Sequence, residues 1–221
     1  PTRTEIALLE AKSKEIAGLF GAACHLIEFG SGSSVKIRIL LDALDTPAGY
    51  TALDISRDHL LESAESLAHE YPGVPVAAVC ADFTRPFDLP PLFDRAARRL
   101  GFFPGSSIGN FTRTEAGAFL QASRRVLTGP GAGFLIGVDL RKDPAILNAA
   151  YNDAAGVTAE FNLSLLARAN RELGADFDLD GFRHHAFYNE KEGRVEMHLI
   201  SLRAQEVSIG DRHFRFEADE S

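Results

Sequence analysis

Cysteine is scarce: Cys24 and Cys80, each inside an apolar stretch, are the two thiols of a 221-residue chain. Two cysteines without ligand-like spacing cannot make a disulfide framework, so a reducing, cytoplasmic setting is expected. Long apolar runs are missing too. No stretch approaches the roughly 18 residues that cross a bilayer, and the first residues hold no apolar signal-peptide core. Cations are in deficit, with 23 Lys and Arg against 31 Asp and Glu, a formal charge of −8. Such a surface has no surplus of cations to replace the counterions of a phosphate backbone, which argues against nucleic acid as a partner. Membrane proteins, secreted scaffolds and bulk DNA or RNA binders are set aside. What is left is a soluble globular protein of one domain, or one and a fraction, with ample material for a core.

What the chain does contain is alternation. Thr2 to Phe20 has the apolar spacing of an amphipathic helix, with Ile6, Leu9, Ile16 and Phe20 on one side. Thr2 and Glu5 stand three apart, the spacing of a capping box. Five short apolar runs follow as strand candidates: His25 to Phe29, Tyr50 to Ile55, Val74 to Cys80, Leu100 to Phe103 and Gly133 to Leu140. Helical patterns stand between them at Val35 to Leu44 and around Leu60, Ala64 and Leu67. A second capping box, Thr112 with Glu115, opens a further helix that runs to Leu127. Pro86 to Pro91 reads as a loop. Strands alternating with amphipathic helices predict an α/β fold, a doubly wound parallel sheet covered on both faces.

The texture changes at Asp143-Pro144, a cap followed by a proline at a first helical position. A helical pattern continues to about Leu173, broken near Gly156. Strands then alternate: His184 to Asn189, Arg194 to Arg203, and a hairpin from Val207 to Phe216 through Gly210-Asp211. The expectation is a smaller α+β region, residues 143–221, appended to a parallel-sheet domain of residues 1–142.

Ligands of open parallel sheets bind at the carboxyl ends of the strands. Four such ends carry unusual residues. Glu28-Phe-Gly30-Ser31-Gly32-Ser lets the backbone turn tightly and approach a ligand, but Val35 stands where the dinucleotide fingerprint has its third glycine. Asp54 can accept both hydroxyls of a ribose, or can merely cap the next helix together with Ser56. Asp82-Phe83 offers an acid for an adenine amino group and a ring for the base, or a loop acid beside a core phenylalanine. Gly105-Ser-Ser-Ile-Gly-Asn110 places a side-chain amide at the reacting end, or only starts the Thr112 helix. The order of glycine loop, acid, acid and polar loop suits S-adenosyl-L-methionine, which has no phosphates and needs carboxylates. It suits NAD poorly.

Several stretches resemble the histidine-specific S-adenosylmethionine-dependent methyltransferases. They are Gly30-Ser-Gly-Ser-Ser-Val-Lys36, Asp54-Ile-Ser56, Cys80-Ala-Asp-Phe83, Gly105-Ser-Ser-Ile-Gly-Asn110, Tyr151-Asn-Asp153, Gly156-Val-Thr-Ala-Glu-Phe-Asn162, Arg171-Glu-Leu173 and Arg194-Val-Glu-Met197. The resemblance implies a class I, Rossmann-like methyltransferase domain followed by a substrate-binding lid. It implies methyl transfer from S-adenosyl-L-methionine to the α-amino group of L-histidine, three times over to hercynine, in ergothioneine biosynthesis, with S-adenosyl-L-homocysteine as by-product. Gly30, Ser31, Gly32, Lys36, Asp54, Asp82 and Phe83 match cofactor positions. Asn110 and Tyr151 match the residues that hold the reacting amine, and Gly105, Thr158, Phe161 and Met197 match other pocket positions. Relatives methylating tyrosine or a tryptophan derivative, and a cofactor-binding module without turnover, are the alternatives.

Family members have further residues before Pro1, and past Ser221 a segment that reads the imidazole, so a fragment of a longer protein is expected. The expected partner is a small amino-acid substrate, and the expected state a monomer. No metal is implied: His184 and His185 are adjacent on a strand and point to opposite faces.

Overall fold

β1 (Cys24–Phe29) lies in the middle of a parallel sheet, with β2 (Gly49–Asp54) on one side and β4 (Arg98–Phe103) on the other. That place accounts for its mostly apolar sequence, since all six residues, His25 and Glu28 included, are buried. β3 (Val76–Cys80) extends the sheet beyond β2 and β5 (Gly133–Ile136) beyond β4, giving the order β3-β2-β1-β4-β5. The computed structural model describes residues 2–32, 35–91 and 98–221. They divide into two compact units, Pro1–Asp139 and Leu140–Ser221.

Alternate strand residues face opposite sides of the sheet and build two apolar layers. One unites Cys24, Leu26, Tyr50, Ala52, Leu100 and Phe102 with Leu9 of α1 (Thr2–Phe20), Ile37, Leu40 and Leu41 of α2 (Val35–Ala43), and Leu60 and Leu67 of α3 (Arg57–Glu70). The other unites Ile27, Phe29, Leu53 and Phe103 with Phe119 and Val126 of α4 (Arg113–Val126). Helices therefore cover both faces, and the doubly wound α/β fold expected from the sequence is the fold observed. Phe29, Phe83, Phe103, Phe111 and Phe119 crowd the second layer, with Phe103 and Phe119 centroids 4.6 Å apart.

The end of β5 and the Thr2–Glu5 pair differ from expectation. β5 stops at Ile136 and does not reach Leu140, because its partner ends first. Phe103 pairs with Ile136, Gly137 N donates to Phe103 O at 2.9 Å, and Pro104 follows without an N–H to continue the ladder. Val138 and Leu140 are exposed. The Thr112–Glu115 capping box forms with both of its hydrogen bonds, but the Thr2–Glu5 spacing does not make one. Thr2 is already helical, and the Glu5 carboxylate leaves its own helix for Lys36 and the amide of Gly105.

In the second unit, α5 (Pro144–Tyr151) starts under Asp143, whose side chain accepts from Ala145 N at 2.7 Å. α6 (Val157–Leu173) follows Gly156, and β6 (Phe182–Asn189) pairs antiparallel with β7 (Arg194–Ser201). β8 (Gln205–Ile209) and β9 (Arg212–Phe216) form the last hairpin. Among the described residues no helix is long and apolar enough to cross a membrane.

Candidate active site

All five strands run the same way, so their carboxyl ends share one rim, and strand order reverses between β1 and β4. This crevice is where open α/β sheets hold ligands. On the β1 side, the carbonyl of Leu53 accepts from both Gly30 N (2.8 Å) and Ser31 N (3.0 Å), which turns the chain sharply. Gly30 adopts φ +78°, in the left-handed region that favours glycine. A side chain there would meet only the Phe83 ring, 3.8 Å away, so conformation rather than crowding asks for glycine. Gly32 N donates back to Gly30 O at 2.9 Å. Ser33 and Ser34, the next residues of the matched stretch, lie outside the described residues.

Beneath this turn lies a polar knot. Ser31 is buried, its hydroxyl 3.3 Å from that of Tyr50, and Tyr50 donates to Glu28 Oε2 at 2.6 Å. Burial pushes the Glu28 carboxyl up to about 7, against the opposing pull of the Tyr50 and Ser31 hydrogen bonds. Burial and the adjoining Glu28 likewise raise the Tyr50 phenol.

Asp54 ends β2, half-buried, with Oδ1 accepting from Ser56 N at 2.8 Å. Opposite it in register Cys80 ends β3, exposed, its thiol 3.6 Å from Ile55 O. Asp82 is turned onto its own bend: Oδ1 accepts from Thr84 N (3.0 Å) and Thr84 Oγ1 (2.6 Å), and Oδ2 meets Arg85 Nε at 3.2 Å. The Thr84 hydrogen bonds hold its carboxyl below the usual range. The Phe83 ring packs edge-on against Phe29, Phe103 and Phe119. That is the core position weighed for it above, with its rim under Gly30.

On the β4 side the chain leaves Pro104 through Gly105 (φ +83°) and Ser106 (φ +58°), both left-handed. Residues Ser107–Asn110 make one 3₁₀ turn, and Ser106 Oγ accepts from Asp139 N at 2.9 Å. Asn110 closes that turn, exposed, two residues before the Thr112 cap of α4. The loop thus leads directly into the α4 cap, with Asn110 exposed at its end. Lys36, in the first turn of α2, forms a half-buried ion pair with Glu5 at 2.5 Å.

The other matched residues lie in the second unit. Tyr151 ends α5, and its carbonyl accepts from His184 Nε2 at 2.8 Å. Thr158 stands in the first turn of α6, where Asp153 accepts from the amides of Val157 (2.9 Å) and Thr158 (2.8 Å); hydrogen bonds from the Thr158 side chain, then from these amides, hold the Asp153 carboxyl down to about 2. Phe161, on the same helix, is exposed. Met197 on β7 lines an open groove of about 450 Å³ with Asn162, Leu165 and Phe216. Among the described residues no group of three or more His, Cys, Asp or Glu side chains could hold a metal ion.

The family described as histidine-specific, SAM-dependent methyltransferase matches residues 1–221. The chain belongs to this family. The histidine N-alpha-methyltransferase of Mycolicibacterium smegmatis is 43% identical over 95% of this chain and 64% of its own length. That of Mycobacterium tuberculosis is 43% identical over 100% and 68%. Ergothioneine biosynthesis protein 1 of Neurospora crassa is 35% identical, with 27% of its length covered. The chain thus spans about two thirds of the histidine N-alpha-methyltransferases it matches.

The rim fits the family's S-adenosylmethionine better than a phosphate-bearing ligand. The carboxylates of Asp54 and Asp82 suit a ligand with hydroxyl and amino groups, and Val35 stands where a pyrophosphate-binding turn has its third glycine. Sequence reasoning placed Glu5 in a local cap and passed over Glu28 as a group with a role. The signal for Glu28 was present, as the one acid inside a mostly apolar strand. Glu5 carried no such signal.

Proposed function

We propose that this chain forms the cofactor site and part of the substrate site of an enzyme that methylates the α-amino group of L-histidine, up to three times, in ergothioneine biosynthesis. The observation that carries the reading is the shared rim. Gly30, Asp54 and Asp82 stand at the ends of β1, β2 and β3, and the loop bearing Asn110 leaves β4 across the strand-order reversal. The family match over the whole chain supports it.

The sulfonium of S-adenosylmethionine supplies an electrophilic methyl group when bound. Gly30 and Ser31 give it a bare backbone turn, Asp54 accepts the ribose hydroxyls, and Asp82 accepts the adenine amino group, releasing the exposed Arg85 that a surface ion pair holds only weakly. Phe83 contributes the floor of the turn. Lys36 faces the carboxylate of the methionine moiety.

Displacement at methyl needs no protein nucleophile. It needs an amine lone pair held in line, and positioning of that kind can supply roughly 7–11 kcal/mol of the barrier. An α-amino group beside a free carboxylate is almost wholly ammonium at pH 7, so it must give up a proton before its lone pair can attack. The Asn110 carbonyl accepts one N–H and aims the lone pair, and being neutral it does not favour the ammonium form. By the family likeness, Gly105 in the first unit and Tyr151, Thr158, Phe161 and Met197 in the second are each proposed as substrate-contacting residues. Tyr151 offers a π face to a cation that grows with each methyl.

The test is mass spectrometry of histidine, tyrosine and tryptophan incubated with S-adenosylmethionine. Histidine alone is expected to gain methyl groups, up to three. Methylation of tyrosine or tryptophan with none on histidine would overturn the assignment. In the same assay Asn110→Ala should lower kcat/KM for histidine by about tenfold, the loss of a hydrogen bond made to the reacting amine. S-adenosylhomocysteine affinity should stay within about threefold, a change under 1 kcal/mol. Equal loss of both would remove Asn110 from the amine.

A further inference from the structure

Glu5 belongs to a helix that precedes the sheet, yet its carboxylate joins the two loops that flank the strand-order reversal. Oε2 receives the Lys36 ammonium at 2.5 Å, and the Gly105 amide donates to Oε1 at 2.8 Å and to Oε2 at 3.1 Å. The two side chains of the ion pair are only 15% and 19% exposed. A pair so shielded, with an added amide donor, is held far more firmly than a surface pair. Gly137 is an independent witness. A Cβ built there would fall 2.0 Å from Glu5 Oε1 and 3.1 Å from Gly105 N, so bare backbone at 137 is what admits the carboxylate. The α2 turn after β1, the loop after β4 and the exit from β5 thus close around one acid.

We propose that Glu5 is a positioning residue for methyl transfer, setting Lys36 and the Gly105–Asn110 loop in register across the crevice. The inference rests on the proposed function, which assigns a ligand to those two loops. A free lysine samples many rotamers, and a loop that begins with two left-handed residues has little else to hold its first amide. One carboxylate removes both freedoms before any ligand arrives, so less ordering is left to oppose binding. A helix-capping role would have kept the carboxylate on the first amides of α1, where it is not.

Four proteins test this: wild type, Glu5→Ala, Glu5→Gln and Gly137→Ala. Each is measured by amide exchange at Gly105 without ligand, calorimetric titration with S-adenosylhomocysteine, and kcat with histidine. Glu5→Ala should speed Gly105 exchange, weaken binding and lower kcat, each by about tenfold, the worth of one charge-assisted hydrogen bond. Glu5→Gln keeps an acceptor for the amide but gives up the charge facing Lys36. It should retain Gly105 protection and kcat within about threefold, where Glu5→Ala loses both. Gly137→Ala, which expels the carboxylate with Glu5 still present, should copy Glu5→Ala.

A lowered Tm in Glu5→Ala with unchanged Gly105 exchange, affinity and kcat would mean a purely structural role and overturn the inference. Failure of the wild type to bind S-adenosylhomocysteine would instead overturn the proposed function. Gly105 exchange, read without ligand, would still decide whether Glu5 holds the loop.

Discussion

Glu28 is an acid shut away from water, with the Tyr50 hydroxyl as its nearest donor and 3% of its surface exposed. Its carboxyl titrates near 7 in the fold against an ordinary 4.5. Between those values the folded chain keeps a proton that the unfolded chain has released. The stability Glu28 contributes is therefore whole below about 4.5 and is lost as pH rises through about 7. Glu28→Gln, which keeps an acceptor for Tyr50, should flatten that dependence and be the more stable protein at pH 8 by up to about 3 kcal/mol. Denaturant unfolding at pH 5 and pH 8 measures it, and parallel losses in both proteins would count against the buried carboxyl. At this scale the sequence was only half legible. Glu28 stands out among apolar neighbours, but Tyr50 lies on another strand, and no local pattern links them. Glu5 was misleading: its spacing from Thr2 satisfies a local rule, and a contact 100 residues away wins. The ring of Phe83 had two readings from sequence, and it stands half-buried at the edge of the second layer, in contact with Phe29, Phe103 and Phe119.

At the scale of elements, periodicity served well wherever burial is one-sided or complete, as in α1, β1 and α4. It failed at β4, which begins with Arg98 and Arg99 rather than at Leu100. Those arginines belong to the strand because their guanidinium groups satisfy the last turns of helices: Arg98 donates to Leu19 O and Arg99 to Val126 O, each at 2.9 Å. Cations are favourable at helix C-termini, and a hydropathy pattern has no means of showing that. The start of α4 was readable because a capping box is written within four residues. Thr112→Ala should cost about 1 kcal/mol and lower Tm by roughly 3 °C, as calorimetry would register. An unchanged Tm would mean that the first turn is held by the neighbouring 3₁₀ turn and not by its cap.

For the whole molecule, the alternation of strands and helices foretold the parallel sheet, and the change of texture near Asp143 foretold α+β structure in the second unit. Which residues face one ligand was legible only through motif likeness, because a rim gathers side chains from four separate connections. The same sheet order has one more consequence. Of the two thiols, Cys24 is buried, with its ionisation pushed up to about 11 by that burial, whereas Cys80 meets solvent opposite Asp54. A maleimide at neutral pH should therefore modify one site, and that site is on the lip assigned to the ribose. Its labelling rate becomes a native occupancy gauge: S-adenosylhomocysteine should slow alkylation of Cys80 in step with saturation, as peptide mass mapping would reveal. A rate indifferent to the nucleoside would put the sugar somewhere other than beside Asp54.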